Sequence, residues 1–513
     1  MLGVSACQSA PARGRLAALP QDPNIEVYTN QNPAAQFTEP YRQISRPGDN
    51  LEQVLIGAIG RANSSIEIAV QEFRLPNVAK ALRDRARSGV KVRVVLENTY
   101  ARPFSAYTLD EVAKLPDREK DRYEEARKLI DQNNDGTLSP TEIIEMDALV
   151  ILDDAKIPRI DDTSDRSRGS DLMHHKFMVI DRQTVIVSSA NFTTSDVFGD
   201  AARPSSRGNA NNLLKINSSE LAKLFVEEFD LMWKNHQFGV KKPYRSTRSV
   251  KVGETRIEVQ FSPSSAKIPW TQTTNGLIAK TLAQATRSID LALFVFSDQD
   301  LVNSIEPQHD RGVGIRALIE PSFAYRSYSE SLDMLSVALS NNCKFEPHNR
   351  PWQTPLKTVG VPQLPPGDML HHKFGVIDQT TVITGSHNWT NAADRGNDET
   401  LLVIHSPIVA AHFDREFNRL YANATIGIPP AIQRKVELQK QCPQAAIAQS
   451  TGMVNLNTAT QAELEALPGV GAGLAKRIIA ARQQKPFASL EDLDRVSGVG
   501  AKLLNKLRDR VTW

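Results

Sequence analysis

The sequence predicts an α/β fold built twice and followed by a small all-α domain. Three observations carry that prediction. The first is internal repetition, which decides a fold before any residue-level reading. Ser65-Ile-Glu-Ile-Ala-Val70 and Gly89-Val-Lys-Val-Arg-Val-Val-Leu-Glu97 reappear as Ser288-Ile-Asp-Leu-Ala-Leu293 and Gly312-Val-Gly-Ile-Arg-Ala-Leu-Ile-Glu320, each pair separated by a helix-like stretch. A β-rich run, a helical pattern and a second β-rich run are the order of a β–α–β unit. The second observation is a pair of near-copies further on, Met173-His-His-Lys-Phe-Met-Val-Ile-Asp181 and Leu370-His-His-Lys-Phe-Gly-Val-Ile-Asp378. The third is a change of composition beyond residue 452 to short helical patterns punctuated by glycine.

Length and charge agree. The chain has 513 residues, enough for roughly three domains. With 40% hydrophobic and 23% charged residues it can bury more than one core. Lys and Arg number 61 against 59 Asp and Glu, a formal charge of +2. That excludes a generally basic coat, so any nucleic-acid binding must come from a local patch. No apolar run reaches the roughly 18 residues of a membrane span. Three cysteines, Cys7, Cys343 and Cys442, exclude a disulfide scaffold and a Cys-rich zinc module. Spacing leaves open whether Cys343 and Cys442 pair.

Residues 1–44 read as an N-terminal tail. Val4-Ser5-Ala6-Cys7 resembles a bacterial lipobox, in which Cys7 becomes a lipidated N-terminus. Such a signal needs about 7–15 apolar residues ahead of the cleavage site, and only six residues precede Cys7. A truncated envelope signal and an ordinary tail both stay open, and with them an envelope or secreted location against a cytoplasmic one.

Residues 45–245 form the first repeat and 246–430 the second. In each, His-x-Lys is followed by four residues, Asp, six residues and a small-residue turn ending in Asn. The first copy has His174, Lys176, Asp181 and Asn191; the second has His371, Lys373, Asp378 and Asn388. Alternation on either side of each Asp reads as a two-stranded hairpin. Residues two apart on a strand face the same way, so each His projects beside its Lys. These side chains suit one chemistry. A neutral imidazole attacks phosphorus, a protonated one supplies the leaving oxygen, and two Lys with two Asn hold the non-bridging oxygens. One copy has too few of these groups; two brought together complete the set without a metal.

This duplicated pattern resembles the phospholipase D superfamily, marked by HxK(x4)D(x6)GSxN, over about residues 45–425. The resemblance implies two α/β lobes, each a mixed sheet flanked by helices, with the site at their interface. It implies cleavage of phosphodiesters in phospholipid, cardiolipin or nucleic acid through a covalent phosphohistidine. His174 and His371 then divide the roles of nucleophile and acid, and Lys176, Lys373, Asn191 and Asn388 bind phosphate. Asp181 and Asp378 take structural places at the hairpin turns. Ser188 stands where the family usually has Gly. Gly396-Asn-Asp-Glu399 matches the pattern of an orienting residue, so Glu399 is expected to accept a hydrogen bond from His371. The first copy offers Gly208-Asn-Ala-Asn211, an amide in place of the carboxylate. Since a carboxylate raises an imidazole's pKa more than an amide does, His371 is expected to be the acid and His174 the nucleophile.

The first copy carries about 26 extra residues, in a stretch at about 110–145 with 11 acidic and 6 basic side chains. Residues 131–142 follow the EF-hand loop pattern, with Asp131, Asn133, Asp135, Gly136, the Thr137 carbonyl, Ser139 and Glu142 at the diagnostic positions. A structural Ca2+ that braces the insertion is one reading, and a charged turn without an ion the other. Asp161, Asp162 and Asp165 form a further acidic run, read as a solvated loop.

Residues 431–452 read as a linker. From 453 to 513, Leu467-Pro-Gly-Val-Gly471 and Val496-Ser-Gly-Val-Gly500 each open a helical pattern, and this region has net charge +3. Backbone amides at such a helix start suit a phosphate and need no base contact. The run from Val454 to Gly471, repeated about 29 residues later, resembles the tandem helix-hairpin-helix module of competence DNA receptors, which binds double-stranded DNA without sequence preference. By that match Gly469, Val470, Gly471, Lys476, Arg477, Gly498, Val499, Gly500 and Lys502 are candidate DNA contacts, with Arg482 and Lys506 adding to the local field. The expected function is a phosphodiesterase acting on DNA. A phospholipase acting on membrane lipid is the alternative, and a non-catalytic DNA-binding adaptor a third.

Overall fold

The computed structural model describes residues 16–201, 203–346, 348–440, 454–465, 467–487, 489–500, 503–504, 507 and 510–512. Cys7, Cys442, Lys502 and Lys506 lie outside them. The described chain divides into two units, residues 1–323 with 360–425, and residues 324–359 with 426–513.

The first unit holds both repeats. In the first repeat, seven strands form one mixed sheet: β1 Ile25–Thr29, β2 Ser65–Val70, β3 Lys91–Leu96, β4 Arg159–Asp161, β5 Lys176–Ile180, β6 Thr184–Ser188 and β7 Asn212–Asn217, in the order β1-β7-β6-β5-β2-β3-β4. The second repeat follows with β8 Arg248–Val252, β9 Thr255–Ser262, β10 Ser288–Leu293, β11 Gly314–Ile319, β12 Lys373–Ile377, β13 Thr381–Gly385 and β14 Glu399–His405, ordered β8-β9-β14-β13-β12-β10-β11. Their registers correspond. Ile66 pairs Val92 in parallel and Ile180 antiparallel; Ile289 pairs Ile315 and Ile377 in the same way. Strand β1 was expected to be tail. It belongs to the sheet because Ile25 and Val27 alternate inward and are buried against β7.

Helices flank both sheets. Ser219–Trp233 and Pro407–Tyr421 are equivalent 15-residue helices, capped by Ser218 and Ser406. The apolar faces of these two helices meet the inward faces of both sheets. Phe177, Phe225, Phe261, Phe374 and Phe413 therefore share one continuous core across the repeats. Alternate residues such as Ile66, Met178 and Ile186 pack on the outer side with the helix Pro76–Arg87. Both hairpins are consequently buried on two faces, which fixes the ends that carry the His-x-Lys motifs.

The insertion is helical, with Leu109–Lys114, Asp117–Ile130 and Pro140–Met146. Among the described residues no helix is long and apolar enough to cross a membrane.

In the second unit, the expected linker begins with a helix, Pro430–Gln439. Ile432 is buried there with Leu332 and Leu339, because the apolar stripe of this helix needs a partner. Cys343 is disulfide-bonded. The C-terminal region has its own small core, including Leu464, Leu474, Ile478, Phe487 and Leu507, closed by parallel pairing of Val454–Asn455 with Val511–Thr512.

Candidate active site

Each catalytic motif enters its strand through a bridge to the opposite repeat. The His174 amide donates to the Asp398 carbonyl (3.0 Å), and the His371 amide donates to the Ala210 carbonyl (3.1 Å). Both segments that precede the orienting residues are thus shared across the lobe interface. His174 and His371 are only 6% and 7% exposed, with Lys176 and Lys373 buried beside them.

The orienting residues cross over. Glu399 Oε2 lies 2.7 Å from His174 Nδ1, and Asn211 Oδ1 lies 3.0 Å from His371 Nδ1. The expectation that Glu399 serves His371 is therefore corrected: its carboxylate serves the histidine of the other repeat. The reason is the interface bridging just described, which carries each Gly-Asn-x-x segment past the neighbouring lobe's motif. Two serines that the sequence reading passed over complete the arrangement. Ser386 Oγ donates to Glu399 Oε2 (2.7 Å), and Ser189 Oγ donates to Asn211 Oδ1 (2.8 Å). The Asn211 amide is itself held by the Asp196 and Asn209 carbonyls.

Lys176 Nζ donates to the His174 carbonyl (2.9 Å) and to Gln71 Oε1 (3.2 Å); Lys373 Nζ donates to the His371 carbonyl (2.7 Å). Each ammonium is thereby fixed beside its histidine, as the two-residue strand period requires. The Oδ1 atoms of Asn191 and Asn388 are buried and accept no hydrogen bond.

Burial holds the His174 and His371 imidazoles well below their usual pKa, and the two lysine ammoniums add to this; His371 also feels His174 directly. The two rings thus share one electrostatic site. Burial lowers Lys176 to about 8, against the pull of Glu399 and Asp196, and takes Lys373 well below its ordinary value. The Glu399 carboxyl is raised by burial. The resting site is a concentration of donors that an anionic phosphate would complete.

The second histidines of the two motifs face away, as alternation dictates. His175 Nε2 meets Glu228 (3.2 Å) and His372 Nε2 meets Glu416 (2.9 Å), inside the shared core. Asp181 and Asp378, carried over with the motif, stand outside the site at the other end of the strand. Asp181 accepts from the amides of Asn63, Ser64 and Ser65; Asp378 accepts from those of Thr286, Arg287 and Ser288. They clip the hairpin turn to the start of the neighbouring strand.

The loop at 131–142 spends its carboxylates on its own backbone. Asp131 accepts from the Asp135 and Gly136 amides, and Asp135 from the Thr137 amide. Asn133 Oδ1 also accepts from the Asp135 amide, and Glu142 accepts from the amides of Gln132, Asn133 and Ser139. Among the described residues no three His, Cys, Asp or Glu side chains converge as a cation site. The expected calcium ligands do not fit that role, and no chemical step is routed through an ion here.

In the hairpin region, Gly469 (φ 86°) and Gly498 (φ 99°) occupy left-handed turns. Gly471 begins the helix Ala472–Gln484, and the Gly500 carbonyl accepts from the Leu503 and Leu504 amides, so the two Gly-Val-Gly segments are equivalent. Lys476 is exposed. Val470 is buried in the hairpin core, and Val499 packs against that core half-buried, so these two side chains shape the turns. Arg477 Nε donates to the Ser497 carbonyl (2.6 Å) and Arg482 to the Leu456 and Ala459 carbonyls, tying the hairpins together.

Comparison with known proteins identifies the family. Residues 55–233 and 278–421 match a family described as "Cardiolipin synthase, PLD-like domain", and residues 449–512 match a helix-hairpin-helix motif. Mitochondrial cardiolipin hydrolase of Xenopus tropicalis is 28% identical over 186 residues, 35% of this chain and 78% of that protein. The human protein of the same name is 29% identical over 147 residues, 28% of this chain and 49% of that one. Phosphatidylserine synthase of Haemophilus influenzae aligns over 84% of this chain and 96% of its own, with 12% identity and a TM-score of 0.47. Nuc, a phospholipase D family member of Salmonella typhimurium, aligns over 34% of this chain and all of its own, with 20% identity and a TM-score of 0.26.

Proposed function

The chain belongs to the phospholipase D-like family of phosphodiester-acting enzymes, and on that footing we propose that it is a nuclease that hydrolyses DNA. The crossed His174–Glu399 and His371–Asn211 pairs carry the chemistry. His174 Nε2 attacks phosphorus while the bond to the leaving oxygen breaks, and His371 Nε2–H gives that oxygen its proton. The imidazole of His174 becomes a phosphoimidazolium, whose positive charge the Glu399 carboxylate stabilises through Nδ1–H. Behind His371 Nδ1 stand the neutral Asn211 amide at 3.0 Å and the Asp196 carboxylate only at 3.6 Å, whereas His174 has Glu399 at 2.7 Å, so His371 is the less closely carboxylate-paired ring and releases its proton more readily. Water then attacks phosphorus, His371 takes a proton from it, and the P–N bond breaks to regenerate neutral His174. This proposal keeps the roles expected of the two histidines, although the ground for that expectation, a Glu399–His371 hydrogen bond, is overturned.

The substrate reading rests on the helix-hairpin-helix motif in the same chain and on its net charge of +3. Two equivalent glycine turns, each opening a helix, with exposed Lys476 beside the first, suit sequence-independent contact with DNA phosphates. A second reading, hydrolysis of a membrane phospholipid, is favoured by the names of the similar cardiolipin hydrolases. A non-catalytic adaptor would have no use for two complete His-Lys pairs buried in register. The disulfide at Cys343 supports an oxidising compartment, the envelope or the exterior of the cell.

Incubating the full chain with plasmid DNA and, separately, with choline phospholipid or cardiolipin vesicles tests the proposal. DNA cleavage in the presence of chelator is the expected result. Cleavage of lipid alone would replace the nuclease reading with the second one.

A further inference from the structure

The two halves of the site are equivalent in their motifs and unlike in their walls. Five residues beyond the paired Ile66 and Ile289 lie Gln71 and Phe294, and three beyond Glu97 and Glu320 lie Tyr100 and Phe323. On the His174 side the wall is polar and charged. Gln71 accepts from Lys176, Glu72 pairs with Arg122 of the insertion (3.2 Å), and the Arg122 guanidinium lies 5.0 Å from the Tyr100 ring centroid. On the His371 side it is aromatic. The Phe294 ring stands edge-on to His371 at 4.8 Å and edge-on to Phe323 at 5.0 Å, and both phenylalanines are part-exposed.

We propose that Phe294 and Phe323 form a stacking platform for the nucleobase on the leaving-group side of the scissile phosphate, in a single DNA strand. This deepens the nuclease reading and rests on it. The side follows from the mechanism, because the leaving oxygen must lie against the acid His371. A duplex keeps its base faces covered, so only an unpaired or splayed base can use an aromatic wall. Other occupants fit less well. Lys373 Nζ already lies 5.0 Å from the Phe294 centroid, and its positive charge disfavours a quaternary ammonium headgroup there. A phosphatidyl group would remain on His174, and its acyl chains would then face the charged wall of Gln71, Glu72 and Arg122.

The test uses the full chain and short single-stranded oligonucleotides with one cleavable phosphodiester. They carry thymine on both sides, or an abasic residue on the leaving side, or an abasic residue on the retained side. The protein should cleave the all-thymine strand with a kcat/KM about tenfold above that of the leaving-side abasic strand, as expected for stacking of one base. The retained-side abasic strand should match the all-thymine strand. Phe323→Leu and Phe294→Leu should each lower that tenfold ratio toward one. Because the ratio is internal to each variant, a misfolded fraction cancels from it.

Indifference of the native protein to the leaving-side base would overturn the platform while leaving the nuclease reading intact. So would a ratio unchanged in both variants, or base dependence confined to the retained side. If no oligonucleotide is cleaved while phospholipid is, both the platform and the nuclease reading fail.

Discussion

Glu399 of the second lobe and His174 of the first are joined by a 2.7 Å hydrogen bond across the lobe interface. Neither lobe alone therefore orients its own motif histidine, and under the proposed mechanism neither contains an oriented nucleophile. The mirror pair is Asn211 with His371, at 3.0 Å. Duplication made the two half-sites, and the exchange of orienting residues made them interdependent and chemically unequal.

That inequality is testable by exchange. Glu399→Gln should lower kcat by about a hundredfold or more with little change in KM, since the lost charge acts on the phosphoimidazolium formed along the reaction. Asn211→Asp should raise the pKa of His371, so the alkaline limb of kcat moves to higher pH. A limb that stays in place, or a KM effect with kcat unchanged, would contradict the assigned roles.

Trapping separates the two histidines. With a p-nitrophenyl diester the leaving group needs no proton, so His371→Ala should still form a phosphoenzyme and accumulate it, having no base for the water step. His174→Ala should form none. Protein quenched with alkaline denaturant, in which a phosphohistidine survives, and analysed by mass spectrometry reads both outcomes, and the opposite pattern would exchange nucleophile and acid.

The pH profile follows from burial. Both histidines are held well below their usual range by desolvation and by the lysine ammoniums. The productive pair has one proton and is most populated between the two pKa values. The optimum of kcat/KM should thus fall on the acid side of about pH 6.5, the ordinary value of histidine. A bound diester offsets the lysine charges and lifts both imidazoles, so kcat should peak at higher pH than kcat/KM. Loss of the Lys176 proton, near pH 8, further weakens phosphate binding as pH rises. An optimum of kcat/KM above pH 7 would contradict this account.

Asp181 and Asp378 belong to stability. Burial acts to raise these carboxyls, but the amides donating to them outweigh it and hold both below the usual range. The stabilisation is present at neutral pH and is lost as pH falls from about 4 through the folded-state value. Asp378→Ala should cost about 0.5–1.5 kcal/mol in denaturant unfolding by removing its hydrogen bonds to the strand-entry amides, with kcat on a small diester unchanged. A large fall in kcat at unchanged stability would return this residue to the site.

The loop at 131–142 should behave as a hydrogen-bonded turn. Its carboxylates already hold its own amides, so neither chelator nor millimolar calcium should change kcat or the thermal midpoint. A calcium-dependent rise in the midpoint would restore the ion-binding reading.

Much of this was legible in the linear chain, because it depends on local periodicity. The two-residue strand period set each histidine beside its lysine and turned His175 and His372 inward, and the repeated Ile66–Gly89 and Ile289–Gly312 spacings carried the duplicated sheet. The Gly-Val-Gly turns marked the hairpins, since a left-handed backbone at Gly469 and Gly498 selects glycine. What the sequence could not decide was partnership between segments far apart in the chain. Glu399 is 225 residues from His174, and which histidine it serves depends on how the lobes are bridged. Likewise Asp131 and Glu142 carry the pattern of a calcium loop, but whether they face an ion or their own amides is a matter of side-chain direction. Residue types and spacing specify which groups are available; only packing across the interface specifies which group meets which.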